Sequence, residues 1–174
     1  NVQIIEKLTE NKEFISSSRI RLALEEGDVA TAKNLLGYVY SVSGYVCHEE
    51  GRGRELGFPT ANLEIQPMDF GVKLIPGVGV YVTHVECEGK LYGSVANVGL
   101  RPTFTSTNQN RQVHVETHIL DKAVDLYGRL IRISFHEHLR KEKKFTSAKE
   151  LRTQIEKDCQ TARKYWEKNS FTPQ

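Results

Sequence analysis

The sequence predicts a mainly β protein, built around a closed antiparallel barrel of five or six strands. Several short segments alternate between apolar and polar residues, and Gly, Pro and Asn turns separate them. Short strands at such spacing favour a barrel, because closure leaves no exposed sheet edge. The C-terminal segment changes to the three- and four-residue apolar spacing of a helix that can lie against the barrel.

Two short helices are expected before the first strand. A serine among residues 16–18 can cap a helix that Gly27 ends, because serine accepts from free N–H groups and glycine tolerates a left-handed exit. Asp28 can cap a second helix, with Gly37 as its stop. These helices carry too little apolar surface to form a domain by themselves.

The predicted strands follow Gly37. The clearest alternation lies in residues 112–120, where one face carries apolar or β-branched side chains and the other carries His114, Glu116 and His118. The remaining predicted strands are residues 38–46, 59–65, 79–88, 91–98 and 130–139.

A long helix is predicted at the C-terminal end. Ser147, with Glu150 three residues later, forms a capping-box pattern that marks its start. A single apolar stripe then recurs every three or four residues and is expected to face the barrel: Leu151, Ile155, Cys159, Ala162 and Trp166.

Composition indicates a globular chain of one domain, with or without an appendage. The 174 residues are 39% hydrophobic and 26% charged, and the net charge of +2 is too small to indicate a nucleic-acid partner. The sequence has no apolar run of membrane-spanning length and no signal peptide, and its three cysteines are scattered. We therefore expect a cytoplasmic protein with neither nucleic acid nor membrane as partner. Because the first residue is Asn1 and not Met, we also expect this sequence to be a piece of a longer chain.

Residues 51–63, G-R-G-R-E-L-G-F-P-T-A-N-L, contain a basic turn rich in glycine. Exposed N–H groups of such a turn can cradle phosphate, with arginines nearby. The turn is not a Walker loop, because no Gly-Lys-Ser/Thr follows, and it is not a dinucleotide fingerprint, because no helix follows. An ordinary surface turn with two solvated arginines remains the alternative.

Thr60 and Asn62 follow this turn. On a strand they lie on one face, about 6.6 Å apart. A hydroxyl and an amide oxygen suit Mg²⁺, which takes few protein ligands and relies on substrate phosphates. The alternative is that both side chains close local turns.

The polar face of residues 112–120 carries a candidate base and a candidate metal site. A carboxylate at Glu116 could serve as a general base, or could pair with Arg132 or Lys122 across the sheet. A zinc site formed by His114, Glu116 and His118 is the less favoured interpretation. On a strand the two histidines would be about 13 Å apart, which is too far for both to bind one ion.

Several ordered motifs together resemble the riboflavin kinase family. The stretch containing P-T-A-N resembles the signature of that family, and A-N-V-G-L-R-P-T-F (96–104) and V-E-T-H-I (115–119) resemble its next two motifs. D-L-Y-G (125–128) and L-R-K-E-K-K-F (139–145) then follow in the order of the family. The resemblance covers about residues 37–168. It implies a six-stranded Greek-key barrel with a C-terminal helix and a short helical segment before it.

The start of the chain resembles a different domain. I-S-S-S-R-I-R (15–21) and L-L-G (35–37) are similar to the end of the adenylyltransferase half of bifunctional bacterial FAD synthetases. This implies that residues 1–36 are the remnant of that domain with its linker, and that residues 37–174 are the kinase domain. The adenylyltransferase domain would then be a partner in cis in the full-length protein.

The resemblance implies phosphoryl transfer from ATP to the 5′-hydroxyl of riboflavin, with ADP and FMN as products. It implies that Thr60 and Asn62 hold Mg²⁺ and the nucleotide phosphates, and that Glu116 is the catalytic base and also contacts the flavin. The remaining residues expected at ATP or its phosphates are Gly44, Gly51, Arg52, Gly53, Arg54, Gly57, Pro59 and Asn97.

The flavin is expected against residues 139–145. The resemblance implies that Leu139, Arg140 and Phe145 contact it, with the guanidinium over or beside the isoalloxazine ring. Read without the resemblance, this segment is a solvated charge run. The resemblance also implies that Asn97 and Arg101 bind the nucleotide or organise a loop.

Two other functions are compatible with a barrel of this kind. The first is a flavin-binding module without turnover, which would need neither a metal site nor a base. The second is an oligonucleotide-binding barrel, which the lack of aromatic residues alternating with Lys or Arg along any strand disfavours.

Overall fold

The structure is a computed structural model that describes residues 9–10, 13–47, 53, 56–65, 73–102 and 111–169. Its N-terminal elements are β1 (Thr9–Glu10), β2 (Glu13–Phe14), α1 (Ser17–Glu25) and α2 (Val29–Leu36). The later elements are β3 (Ser41–Cys47), β4 (Ala61–Glu64), β5 (Gly79–Cys87), β6 (Lys90–Pro102), β7 (Arg111–Ile119), β8 (Leu130–Arg140) and α3 (Ala148–Lys168).

Strands β3 to β8 form a closed antiparallel barrel in the order β3-β4-β7-β6-β5-β8. Strands β5, β6 and β7 pair in sequence, and β8 returns to lie beside β5, which is the Greek-key arrangement. The predicted six-stranded Greek-key barrel is therefore confirmed. β6 is longer than expected, since it pairs with β7 as far as Pro102.

The barrel has an apolar interior and a mixed outer face. Val42, Val85, Val115 and Phe135 belong to one core cluster, and each is 0–1% exposed. Because side chains alternate along a strand, the residues between them point outward. The interior is packed with side chains, and the less buried polar side chains of the strands lie on the outer wall.

Helices α1 and α2 are packed into this same core. Ala23, Leu24, Val29 and Ala32 lie in one cluster with the barrel residues. The main chain of Gly77 donates to the Leu24 carbonyl at 2.7 Å. The predicted caps are present: Ser16 accepts from Arg19, Asp28 accepts from Thr31, and the exit residues have a φ of +78°.

Helix α3 covers the outer face of β5 and β6. Cys159, Ala162 and Trp166 pack in a second cluster with Val80 and Val82, as the apolar stripe predicted. Ser147 caps the helix by accepting from the Glu150 N–H at 3.2 Å. The Glu150 carboxylate accepts from Thr146, one residue before the position that a capping box would use.

Strand β8 departs from simple alternation. Its register against β5 shifts twice, between Val80 and Tyr81 and between Val82 and Thr83. As a result His138 pairs with Tyr81, and Arg140 pairs with Val80 on the outer face. Arg140 thus lies on the outer face, where it donates to Asp158 of α3.

Candidate active site on the outer barrel wall

A row of polar side chains crosses three adjacent strands. Glu116 on β7 is the register partner of Asn62 on β4 and also of Asn97 on β6. Register partners share a face, with Cβ atoms about 5 Å apart. All three side chains are half-buried. The fold therefore brings together three residues that lie 19 to 54 positions apart in the chain, each predicted separately as a site residue.

Thr60 lies at the entrance to β4, beneath the glycine turn. The main chain of Phe58 donates to the Gly53 carbonyl at 2.8 Å, which closes the turn. A Cβ added at Gly53 would lie 2.5 Å from the Phe58 carbonyl oxygen and 3.0 Å from the Thr60 hydroxyl oxygen. Only glycine therefore leaves room above this hydroxyl. Gly57 has a φ of +85°, which glycine also favours.

His118 contacts the peptide just before Thr60. Its Nδ1 lies 2.8 Å from the Pro59 carbonyl oxygen, and its ring meets the Phe58 ring edge-on. A carbonyl can only accept, so Nδ1 carries the hydrogen. The sequence placed His118 on the polar face but did not indicate this contact, because Pro59 lies 59 residues away in the chain.

His114 is the neighbour of Glu116 on the same face of β7. Its Nε2 lies 3.3 Å from Glu116 Oε1, and the two side chains are 19% and 25% exposed. Arg132, one of the partners considered for this carboxylate, instead pairs with Glu86 at 3.2 Å. His114 and His118 thus engage different groups, the Glu116 carboxylate on β7 and the Pro59 carbonyl just before β4.

The residues around Thr60 fit a hard cation. The space above its hydroxyl is one that a Cβ at Gly53 would fill, and the Asn62 amide lies on the same strand face. A hydroxyl, an amide and the carboxylate across from Asn62 are oxygen donors of the kind that Mg²⁺ prefers. Within the described residues, no three His, Cys, Asp or Glu side chains converge to hold a metal ion.

Gly44, predicted at phosphate, has a packing role in the structure. It is buried, and a Cβ there would lie 2.2 Å from the Glu64 carbonyl oxygen. Any larger residue would therefore push β3 away from β4. Its assignment to phosphate stays a prediction, while Gly51, Arg52 and Arg54 lie outside the described residues.

Three of the four predicted flavin residues, Leu139, Arg140 and Phe145, lie where β8 leads to α3. Leu139 packs against the outer cluster beneath α3, and Phe145 is half-buried. Arg140 donates from Nε and Nη2 to the Asp158 carboxylate, at distances down to 2.8 Å. Its guanidinium also lies 5.8 Å from the centre of the Phe145 ring. Contact of these residues with flavin stays a prediction.

Asp158 is a residue that the sequence analysis missed. Its side chain is 7% exposed, and it accepts from Arg140 and also from Gln154 at 2.8 Å. The available signal was a charged residue directly beside Cys159 on the apolar stripe of the helix. A buried carboxylate needs a cationic partner, and this requirement could have indicated Arg140.

Three other histidines, His84, His136 and His138, pack against aromatic rings away from the polar row. His84 Nδ1 lies 2.7 Å from His136 Nε2, beneath Trp166 of α3. Burial lowers the pKa of His136 to about 3, with smaller contributions from His84 and Lys33. Burial also lowers the pKa of His84 and of His138.

The helices that the structure describes include none with the length and apolar character needed to span a bilayer.

The fold and the site together define a small Greek-key β-barrel protein with its candidate site on the outer wall. The polar row runs across β4, β7 and β6, from the end of the glycine turn towards α3. Similarity to known proteins identifies the family within this class of barrel proteins.

A family model described as riboflavin kinase (flavokinase) matches residues 36–166. The bifunctional riboflavin kinase/FMN adenylyltransferase of Bacillus subtilis (strain 168) is 42% identical over 163 residues, covering 94% of this chain and 50% of the relative. The protein of the same name from Escherichia coli (strain K12) is 40% identical over 153 residues, covering 87% of this chain and 46% of the relative. The chain belongs to the riboflavin kinase family.

A solved structure is similar over most of the chain. It is titled a macrolide-efflux protein from Streptococcus pneumoniae, and it matches with a TM-score of 0.82 at 33% identity. The match covers 91% of this chain and 50% of that chain. The chain therefore spans about half the length of the curated relatives and of this structure.

Proposed function

We propose that this chain is an ATP-dependent riboflavin kinase, which transfers the γ-phosphate of ATP to the 5′-hydroxyl of riboflavin and forms FMN and ADP. The observation that carries the proposal is the cross-strand row of Asn62, Glu116 and Asn97, next to Thr60 under the glycine turn. Phosphoryl transfer requires a base, oxygen donors for a metal, and N–H groups at phosphates on one surface.

Glu116 is the proposed general base. It takes the proton from the riboflavin 5′-hydroxyl as the oxygen attacks the γ-phosphate. Its position on the outer wall leaves the carboxylate one-quarter exposed, so a substrate can reach it. A base placed in this way contributes typically about 10²- to 10⁴-fold to the rate.

Thr60 and Asn62 are the proposed ligands of Mg²⁺. When bound, the ion would neutralise charge on the nucleotide phosphates. The main-chain N–H groups of the turn that includes Gly53 and Gly57 lie against the phosphates. Asn97 offers an amide to the transferred group or to the nucleotide from the far side of Glu116.

The flavin is proposed to lie along residues 139–145. Leu139 supplies apolar surface, and Phe145 and Arg140 supply planar groups. Because Nε and Nη2 of Arg140 already donate to Asp158, Arg140 offers the flavin the face of its guanidinium rather than these N–H groups.

The full-length protein is proposed to be a cytoplasmic bifunctional enzyme. The curated relatives carry FMN adenylyltransferase in their names, and this chain covers about half of each. We propose that residues 1–36 belong to the adenylyltransferase domain and its linker, and that residues 37–174 form the kinase domain.

The test is a product assay. The chain is incubated with riboflavin, ATP and Mg²⁺, and the flavins are separated by chromatography. We expect FMN and no FAD, with no product when ATP or Mg²⁺ is omitted. Quenching of riboflavin fluorescence without FMN would instead indicate a flavin-binding module, and it would remove the catalytic roles of Glu116 and Thr60.

A further inference from the structure

His114 lies where it can hold one oxygen of the proposed base. Its Nε2 is 3.3 Å from Glu116 Oε1, and both side chains are mostly buried. The distance is slightly long for a hydrogen bond to a carboxylate, as is common before substrate binds. Two residues apart on one strand, the side chains lie on the same outer face.

Gly99 forms the platform under the His114 ring. The two residues are register partners on β6 and β7. A Cβ added at Gly99 would lie 2.6 Å from His114 Cε1 and 3.0 Å from Nε2, and 3.1 Å from Glu142 Oε1. The ring therefore lies directly against the glycine backbone, and any side chain at position 99 would displace it.

The surroundings of the ring decide which nitrogen carries the hydrogen. Nδ1 of His114 is fully buried and has no hydrogen-bond partner within the part of the chain that the structure describes. A buried N–H without a partner is costly, so the hydrogen is assigned to Nε2. In this tautomer Nε2 donates towards Glu116 Oε1.

We propose that His114 is a positioning residue for Glu116. Its Nε2–H holds Oε1 and directs the other carboxylate oxygen towards the acceptor hydroxyl. This inference rests on the proposed kinase activity, and it assigns to His114 and Gly99 a role that the riboflavin kinase motifs in the sequence did not suggest. His114 acts through Glu116 and need not touch either substrate.

Two substitutions of His114 separate hydrogen bonding from packing. His114→Phe keeps a ring against Gly99 but has no N–H, and His114→Gln places an N–H near the position of Nε2. Because a small misplacement of a reacting group can cost about 100-fold in rate, we expect His114→Phe to lower kcat by about 10- to 100-fold. The KM values for ATP and riboflavin should change by less than about threefold, and His114→Gln should recover most of the lost kcat.

Gly99→Ala provides an independent variant that displaces the ring and removes no functional group. We expect it to lower kcat in the same way, while its neighbour on β6, Leu100→Ala, serves as a control at an exposed position. Riboflavin affinity by fluorescence and the melting temperature are measured for every variant, so that misfolding is distinguished from misplacement.

The kinetics of the His114 variants test the positioning role directly. Loss of kcat in His114→Phe and recovery in His114→Gln support the positioning role. Wild-type kcat in His114→Phe would overturn it, as would equal losses in both His114 variants with weaker substrate binding, since packing alone would explain those. If the wild-type chain forms no FMN, the kinase proposal fails and the positioning role fails with it.

Discussion

At the residue scale, Glu116 shows how a strand position gains its surroundings from other strands. The sequence could place this carboxylate on a polar face, because alternation along β7 is a local property. It could not show that an asparagine lies opposite on each side. Both neighbours come from distant parts of the chain, and register between strands depends on the packing of the whole barrel.

Glu116→Gln is expected to lower kcat by about 10²- to 10⁴-fold, because the amide cannot accept the hydroxyl proton. ATP and riboflavin should bind nearly as in the wild type, since the side chain keeps its size. Steady-state kinetics with fluorescence titration provide the measurement. Glu86→Gln, on the outer face of β5, is the matched control. Near-normal kcat in Glu116→Gln would remove Glu116 as the base.

Thr60→Ala is expected to raise the Mg²⁺ concentration needed for half-maximal activity. The substitution removes the hydroxyl beneath Gly53, and so removes one proposed oxygen ligand. Thr60→Ser keeps the hydroxyl and should preserve the metal requirement. Activity is measured across a Mg²⁺ titration at saturating ATP. An unchanged requirement in Thr60→Ala would count against Thr60 as a metal-site residue.

At the element scale, α3 is joined to β8 by a buried ion pair. Arg140 and Asp158 are 15% and 7% exposed, and Gln154 contributes a further hydrogen bond. The pair orients the beginning of residues 141–147, the segment that connects the two elements. The proposed flavin contacts at Leu139 and Phe145 flank this pair, so α3 would help to shape the proposed flavin site as well as the core.

Asp158→Ala is expected to destabilise the protein by about 3–5 kcal/mol, because it leaves a buried guanidinium without its carboxylate. Denaturant unfolding measures the loss. Arg129→Ala breaks the exposed pair with Glu88, whose side chains are 45% and 68% exposed, and should cost about 1 kcal/mol or less. Similar losses for the two variants would show that burial of the Arg140–Asp158 pair does not matter.

At the scale of the whole molecule, the N-terminal helices and the barrel share one core. Leu24 is 2% exposed within the cluster that contains the barrel residues, and Gly77 donates to its carbonyl. The proposed domain boundary at residue 36 therefore separates two segments of the sequence whose side chains pack in one continuous core. We expect the kinase barrel to depend on α1 and α2 for its stability.

Leu24→Ala tests this dependence. Removing a buried leucine side chain should lower the free energy of unfolding by about 2–5 kcal/mol. Leu22→Ala lies on the same helix but is 55% exposed, and it should change stability by about 0.5 kcal/mol or less. Both are measured by denaturant unfolding. Equal, small effects would mean that α1 is only loosely attached to the barrel.

The His84–His136 pair makes the stability of the whole fold sensitive to acid. Because the pKa of His136 is lowered to about 3, the unfolded chain binds more protons than the folded one below about pH 6.5. Stability from this pair is therefore present above pH 6.5 and is lost as the pH falls towards 3.

Between pH 7.5 and pH 5.0, we expect the wild type to lose about 1–2 kcal/mol more stability than His136→Leu, which cannot be protonated at this position. Denaturant unfolding at both pH values gives the comparison. Equal losses in the wild type and His136→Leu would exclude this pair as an acid-sensitive contact.

The sequence by itself determined the elements and the family. The caps at Ser16, Asp28 and Ser147, and the alternation along the strands, depend on residues within a few positions of one another. The ordered motifs indicated riboflavin kinase, and the family match confirms this.

Only the tertiary structure decided which residues meet. The row of Asn62, Glu116 and Asn97, the contact of His118 with Pro59, and the pairing of Arg140 with Asp158 all join segments far apart in the chain. Such contacts follow from strand register, from the shifts in β8 and from the docking of α3. These depend on how the whole core packs, so no local pattern in the sequence can specify them.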